Sequence, residues 1–135
     1  MGINRIPSSV DIAIQGLRAE STRMNVIAGN IANAKTTRTD SGQPYRRREL
    51  VLSTDGDMFG GPEIKSISAD MTTEFKRLHQ PGHPDADKSG FVNMPNVDLP
   101  VEMVNLVAAS RAYQANAAVM KRHQEVMDAA IALLK

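Results

Sequence analysis

At 135 residues, 41% of them hydrophobic and 23% charged, the chain has the size and composition of one ordinary folded domain, not of a disordered tail. A net charge of +1 gives no overall bias towards nucleic acid or membrane, and the absence of cysteine excludes disulfides, zinc fingers and thiol chemistry. Aromatic residues make up only 4%, so alanine, valine, isoleucine and eight methionines must do the packing, a composition suited to helix–helix contact.

The charge is unevenly spread. Residues 1–48 carry a local charge of +5 and the remainder −4, an asymmetry compatible with head-to-tail contact between subunits. No basic region leads into an apolar run at the N-terminus, so no cleaved signal peptide is expected. No stretch approaches the roughly 18 apolar residues of a membrane span.

Residues 1–9 read as an irregular arm. A serine after Pro7 is the expected N-cap of the first helix, with Asp11 near the positive end of the dipole. From there Val10, Leu17, Met24 and Ile31 recur at intervals of seven, with Ala13, Ile14, Ile27, Ala28 and Ala34 beside them. Glu20 and Ser21 interrupt the stripe, and Gly16 and Gly29 each cost about 1 kcal/mol relative to alanine in a helix interior. This helix therefore depends on packing. Asn33 is its expected end, since asparagine tolerates the left-handed C-terminal conformation.

The segment 35–44 has turn and loop chemistry, and 45–53 reads as a strand. Residues 54–62 read as another loop. Weaker strand candidates follow at 64–68 and 73–78, so the middle of the chain reads as a small β element. Residues 79–100, with four prolines and two glycines, are expected to be loop.

Asp98 or Leu99 then caps the last helix, with Pro100 in its first turn, where proline is tolerated. Residues 103–134 contain neither glycine nor proline. They carry one 3-4 rhythm: Met103, Leu106, Ser110, Tyr113, Ala117, Met120, Gln124, Met127, Ile131 and Leu134. At about 1.5 Å per residue this stripe is roughly 48 Å long, more than a chain of this size can bury alone. The expected fold is mainly α with a small β insertion. Long N- and C-terminal helices pair as a coiled-coil-like bundle, in segments 1–35, 36–97 and 98–135. The C-terminal stripe outruns the N-terminal one, which favours a larger bundle.

Candidate chemistry is sparse. Asp85, Asp87, Ser89 and Gly90 match the start of an EF-hand loop, but position 12 is Asn96 and not the closing glutamate. His79 and His83 have metal-pair spacing only on a helix, which Pro81, Gly82 and Pro84 forbid. Arg46, Arg47 and Arg48 alternate faces on a strand and lack an aromatic platform, so an ion-paired or subunit-contacting edge is expected in place of a nucleic-acid site. No catalytic constellation, cofactor site or metal site stands out. Ser110, Gln124 and the helix asparagines suit buried polar groups that fix register.

The two helices nevertheless carry motifs. In the first, Asn30, Ile31, Ala32 and Asn33 are followed by Ala34 and Thr36. In the last, Glu102, Met103, Val104 and Asn105 precede the run Ser110 to Asn116. Together, in this order and at these ends, they resemble the terminal segments of the bacterial flagellar axial proteins, the rod and hook family. The runs TTRTDSGQPYRRR and PGHPDADKSGFVNMPNVD look like those of its C-type proximal rod subunits, and Gly29 departs from a position where relatives often carry asparagine.

The resemblance implies a structural subunit, not an enzyme. Its relatives are exported unfolded through the flagellar type III apparatus, without signal cleavage. They polymerise helically in the periplasm, with copies of themselves and other rod proteins, into a torque-transmitting shaft. The terminal helices would line the inner tube around the export channel. The resemblance assigns packing and hydrogen-bonding roles to Asn30, Ile31, Asn33, Asn105, Arg111, Tyr113 and Asn116. The hydrophobic rhythm adds Leu17, Met24, Ile27, Met103, Leu106, Met120, Met127, Ile131 and Leu134 as subunit-interface residues. No cofactor, nucleic acid or direct membrane insertion is implied. A calcium-responsive module using Asp85, Asp87 and Ser89, separable by calcium titration, and a closed coiled-coil adaptor, separable by light scattering, are the competing readings.

Overall fold

The computed structural model describes residues 8–53 and 61–134. The elements run α1 (Ser9–Ala32), β1 (Arg48–Ser53), β2 (Glu63–Ala69), β3 (Lys76–His79), β4 (Phe91–Met94) and α2 (Leu99–Ala132). The expected N-terminal arm and most of the 54–62 loop lie outside the described residues. No described helix is long and apolar enough to cross a membrane.

Local chemistry fixes the helix ends. Ser8 caps α1 through a reciprocal capping box: its hydroxyl accepts from the Asp11 amide, while the Asp11 carboxylate accepts from the Ser8 amide at 2.9 Å. Asn33 ends the helix, but not by turning left-handed. Its φ is −101°, and its side-chain amide donates to the Gly29 carbonyl at 2.9 Å, satisfying one of the orphan acceptors of the last turn. Asp98 caps α2 by accepting from the Val101 amide, and Pro100 sits in the first turn.

The two helices pack antiparallel. Gly16 lies against Asn116 near one end, and Asn30 meets Glu102 near the other. The buried row of α1 is Ala13, Gly16, Ala19, Ile27 and Asn30, and α2 answers with Glu102 and Ala109. Small residues let the backbones approach closely. A Cβ placed on Gly16 would stand 2.6 Å from the Asn116 amide nitrogen.

The middle of the chain forms two separate antiparallel hairpins, β1–β2 and β3–β4. Strand β1 starts at Arg48, three residues later than the sequence suggests, because Tyr45 to Arg47 are engaged by α1, α2 and Asn96. The first hairpin lies along α1, with a bulge between Val51 and Leu52, and Gly61 beyond its far end rests on the Gln15 side chain. Strand β4 corrects the expectation that 79–100 is all loop. Phe91 to Met94 pair in register with His79 to Lys76. The turn that makes this feasible is built by Asp87, whose carboxylate accepts from the amides of Ser89 and Phe91, and by Gly90 at a φ of +79°. Four residues behind a proline-rich stretch give no periodicity to read.

Candidate assembly site

The most deeply buried side chains in the helix pair are polar. Asn30 and Glu102 are both fully buried. The Asn30 amide donates to the Arg48 carbonyl at 2.9 Å and to Glu102 Oε2 at 3.0 Å. Its oxygen accepts from the Tyr45 hydroxyl at 3.0 Å and from the Arg48 amide at 2.8 Å. All four hydrogen-bonding positions of the asparagine are thereby filled.

Glu102 Oε1 accepts from Arg47 Nε at 2.6 Å, and the same guanidinium pairs with Glu49. The Arg47 amide donates to Asn96 Oδ1 at 2.7 Å, and the Asn96 amide reaches the carbonyls of Asp70 and Thr73. One connected network thus joins α1, α2, the first hairpin and the segment between β2 and β3. Partial burial works against the Arg47 charge, yet the hydrogen bonds and negative charges of Glu102 and Glu49 outweigh it and hold the guanidinium above its ordinary value. Burial raises the Tyr45 hydroxyl, with the Arg48 charge opposing and the Glu102 charge adding.

The three consecutive arginines diverge. Arg46 stacks over the Phe75 ring at 4.2 Å and donates to the Asp70 carbonyl, Arg47 joins Glu102, and Arg48 stands 5.9 Å from the Tyr45 ring. The EF-hand-like residues serve the turns. Asp87 caps the β3–β4 loop and binds Arg77 at 2.8 Å, while Asp85 accepts from Thr37 at 2.7 Å and faces Arg38 at 3.6 Å. Among the described residues no cluster of three histidines or carboxylates has metal-binding geometry.

The interface residues expected from the sequence separate into two sets. Ile27 and Asn30 are buried between the helices; Leu17, Met24, Ile31, Asn33, Asn105, Leu106, Asn116 and Met120 are half-buried. Met103, Arg111, Tyr113, Met127, Ile131 and Leu134 are exposed. The single stripe read along α2 therefore straddles two faces. Glu102, Ala109, Asn116 and Met120 turn towards the interior. Val101, Met103, Val104 and Val107, all more than half exposed, form a separate apolar face. There Met103, Val104, Val107, Ala108 and Arg111 line a shallow hollow of about 350 Å³. Since Gly16 lies against Asn116, the described part of α1 reaches only about as far as His123. Every residue from Lys121 to Leu134 is exposed.

The sequence places Arg47 only on an ion-paired or subunit-contacting edge, where it pairs with Glu49 and Glu102, and gives Tyr45, Asn96 and Glu102 no interface role. The one legible signal was Glu102 inside the C-terminal motif. Nothing in the chain points from it to an arginine 55 residues earlier.

A fully satisfied polar lock between the helices and a broad apolar helix face are the chemistry of packing and contact. Comparison with known proteins identifies the family. Residues 11–38 match the family described as flagella basal body rod protein, and residues 88–133 match the C-terminal family of the flagellar basal body rod FlgEFG proteins. The flagellar basal-body rod protein FlgC of Salmonella typhimurium is 43% identical over 120 residues, covering 87% of this chain and 89% of the relative. That of Borreliella burgdorferi is 36% identical over 148 residues, covering 95% and 97%. That of Bacillus subtilis is 34% identical over 131 residues, covering 83% and 87%. Motifs at both ends, a matching middle and near-complete coverage have one reading: the chain belongs to the flagellar basal-body rod protein family, as a FlgC-type structural subunit of the rod.

Proposed function

We propose that this subunit works by adhesion alone, without catalysis, and that it polymerises helically with copies of itself and with other rod proteins. Segments 1–35 and 98–135 form the wall of the inner tube around the export channel, and segment 36–97 lies further out. The subunit reaches the periplasm through the flagellar type III export apparatus, without a cleaved signal and without inserting in the membrane. Leu17, Met24, Ile27, Asn30 and Ile31 on α1, with Asn105, Leu106, Asn116 and Met120 on α2, hold the pair together, and Asn33 closes the end of α1. Met103, Arg111, Tyr113, Met127, Ile131 and Leu134 face neighbouring subunits.

The observation that carries this reading is the apolar face of α2 around Val104, which is 69% exposed. A contiguous apolar surface with no cover marks a contact site. The test is the double substitution Val104→Asp with Val107→Asp, supplied to cells lacking their own copy. The expected result is loss of swimming and of rod assembly, with the urea midpoint of the purified variant unchanged. Normal swimming would overturn the proposal.

A further inference from the structure

A two-stranded sheet has two edges, and an open edge is a row of backbone groups that another chain can extend. The two edges of the first hairpin differ. Strand β2 is exposed along its whole length, carries Glu63 and Lys65, and is interrupted at Lys65 by the bulge between Val51 and Leu52. Charge and a bulge keep an exposed edge from pairing. Strand β1 carries instead the apolar, β-prone run Leu50, Val51 and Leu52.

What covers β1 is Asn30. The Asp70 amide donates to the Arg47 carbonyl at 2.8 Å, so the backbone of Arg47 faces β2. That of Arg48, one residue on, faces the opposite way, towards α1. There the Asn30 carboxamide accepts from the Arg48 amide at 2.8 Å and donates to the Arg48 carbonyl at 2.9 Å. Exchanging both bonds with one residue is what an antiparallel neighbour does. A single side chain thus stands where a third strand would pair. Leu50, next on the same side, lines an open cleft of about 280 Å³ with Ile27, Asn105 and Ala108, so the edge runs on from Asn30 into open space.

The closure depends on the helix pair. The Asn30 nitrogen divides its two hydrogens between the Arg48 carbonyl and Glu102 Oε2. Glu102 belongs to α2, so the orientation that covers β1 is fixed only when α2 lies against α1.

We infer that Asn30 is an edge guard: it holds the pairing positions of β1 closed against the β1 strand of a second copy, and it closes when α2 docks. A copy of the same edge is a complementary partner, because antiparallel strands exchange identical groups and the two apolar runs meet. Released β1 strands would pair about a two-fold axis into a four-stranded sheet that ends on the charged β2 edges. The product is a closed dimer, distinct from any contact through the apolar face of α2.

The test uses the purified chain carrying Val104→Asp with Val107→Asp, which removes association through the helix face. In this background Asn30→Ala should tighten dimerisation at least about tenfold, read by sedimentation, since two hydrogen bonds become available to a partner strand. Ile27→Ala loosens the same helix pair but leaves Asn30 in place. Compared at a temperature where both variants are equally folded, it should stay monomeric. Adding Arg48→Pro to Asn30→Ala removes the freed amide and should return the dimer to monomer without restoring stability. Should Asn30→Ala fail to fold, Asn30→Asp with Glu102→Gln keeps a hydrogen bond between the helices, strips the one to the Arg48 carbonyl, and should dimerise too. Equal dimerisation of Ile27→Ala, a monomeric Asn30 variant, or a dimer that survives Arg48→Pro each overturns the guard. None of these outcomes bears on whether Val104 and Val107 meet neighbours in the rod.

Discussion

The amide of Asn30 and the carboxylate of Glu102 meet at 3.0 Å, with neither residue exposed, and they bind the two terminal helices across 72 residues of sequence. Because Asn30 also holds both backbone groups of Arg48, the first hairpin cannot leave α1 without breaking the helix pair's polar lock. Asn30→Ala should strand the Tyr45 hydroxyl, the Arg48 amide and one Glu102 oxygen together. The expected loss is about 1–3 kcal/mol, the cost of orphaning the buried Glu102 oxygen, since the Tyr45 hydroxyl and the Arg48 amide are only partly buried. Urea unfolding followed by circular dichroism checks it; an unchanged midpoint would mean the network is not a source of stability.

Removing the charge partner should be comparably severe. Glu102→Ala leaves Arg47 beside a void, and breaking a buried pair from one side costs about 3–5 kcal/mol. The lower end is expected here, because the Arg47 side chain is 24% exposed and keeps Glu49. Arg47→Ala and the double variant complete a cycle. A coupling energy below about 0.5 kcal/mol would show that the two residues act independently.

The two glycines of α1 should respond in opposite directions. At Gly29 an added Cβ meets nothing within 4 Å, so Gly29→Ala should stabilise by about 0.5–1 kcal/mol. At Gly16 it would crowd Asn116, so Gly16→Ala should destabilise despite the same gain in helix propensity. Asn116→Ala should relieve that penalty, making the Gly16→Ala change favourable in its presence. Thermal unfolding of the four variants is sufficient.

That contrast shows where the sequence was readable. A serine after Pro7, Asp98 or Leu99 before Pro100, and a last helix free of glycine announced two helices, and the excess length of α2 over α1 was legible from the rhythm alone. The contact row was not. A heptad of Val10, Leu17, Met24 and Ile31 points to large side chains, whereas the close approach of the helices selects Ala13, Gly16 and Ala19. Small residues win a contact by geometry, which hydrophobic periodicity does not weigh. The Asn30–Glu102–Arg47 lock was illegible for another reason: buried polar groups gain their meaning from partners that only the tertiary fold brings near.

Acid should weaken the insertion before the helix pair. Hydrogen bonds from Thr73 and Thr72 hold the Asp70 carboxyl well below the ordinary carboxylate range, and those from the Phe91 and Ser89 amides, with Arg77, lower that of Asp87. A carboxyl depressed in the folded state contributes stability that is present above its unfolded value, about 3.9, and lost as pH falls towards the folded one. Stability should therefore be level from about pH 7 to 5 and fall below about pH 4. Asp70→Asn should flatten that fall without abolishing it. An acid limb identical in the variant would remove Asp70 from the explanation.

Local stability should be graded along α2. From Glu102 to Asn116 the helix packs on α1 and shares the polar lock, so its amides open only with the whole fold. From Lys121 to Ala132 the described residues are exposed on all sides, and a helical segment of this length has marginal stability by itself. Hydrogen exchange on the purified chain should show fast exchange over 121–132 and slow exchange over 102–116. Assembly should then protect the first stretch strongly while changing the second little, because contact with neighbours supplies the apolar surface that α1 does not reach. Equal protection of both stretches in the isolated subunit would remove the reason for treating the end of α2 as a segment completed by its neighbours.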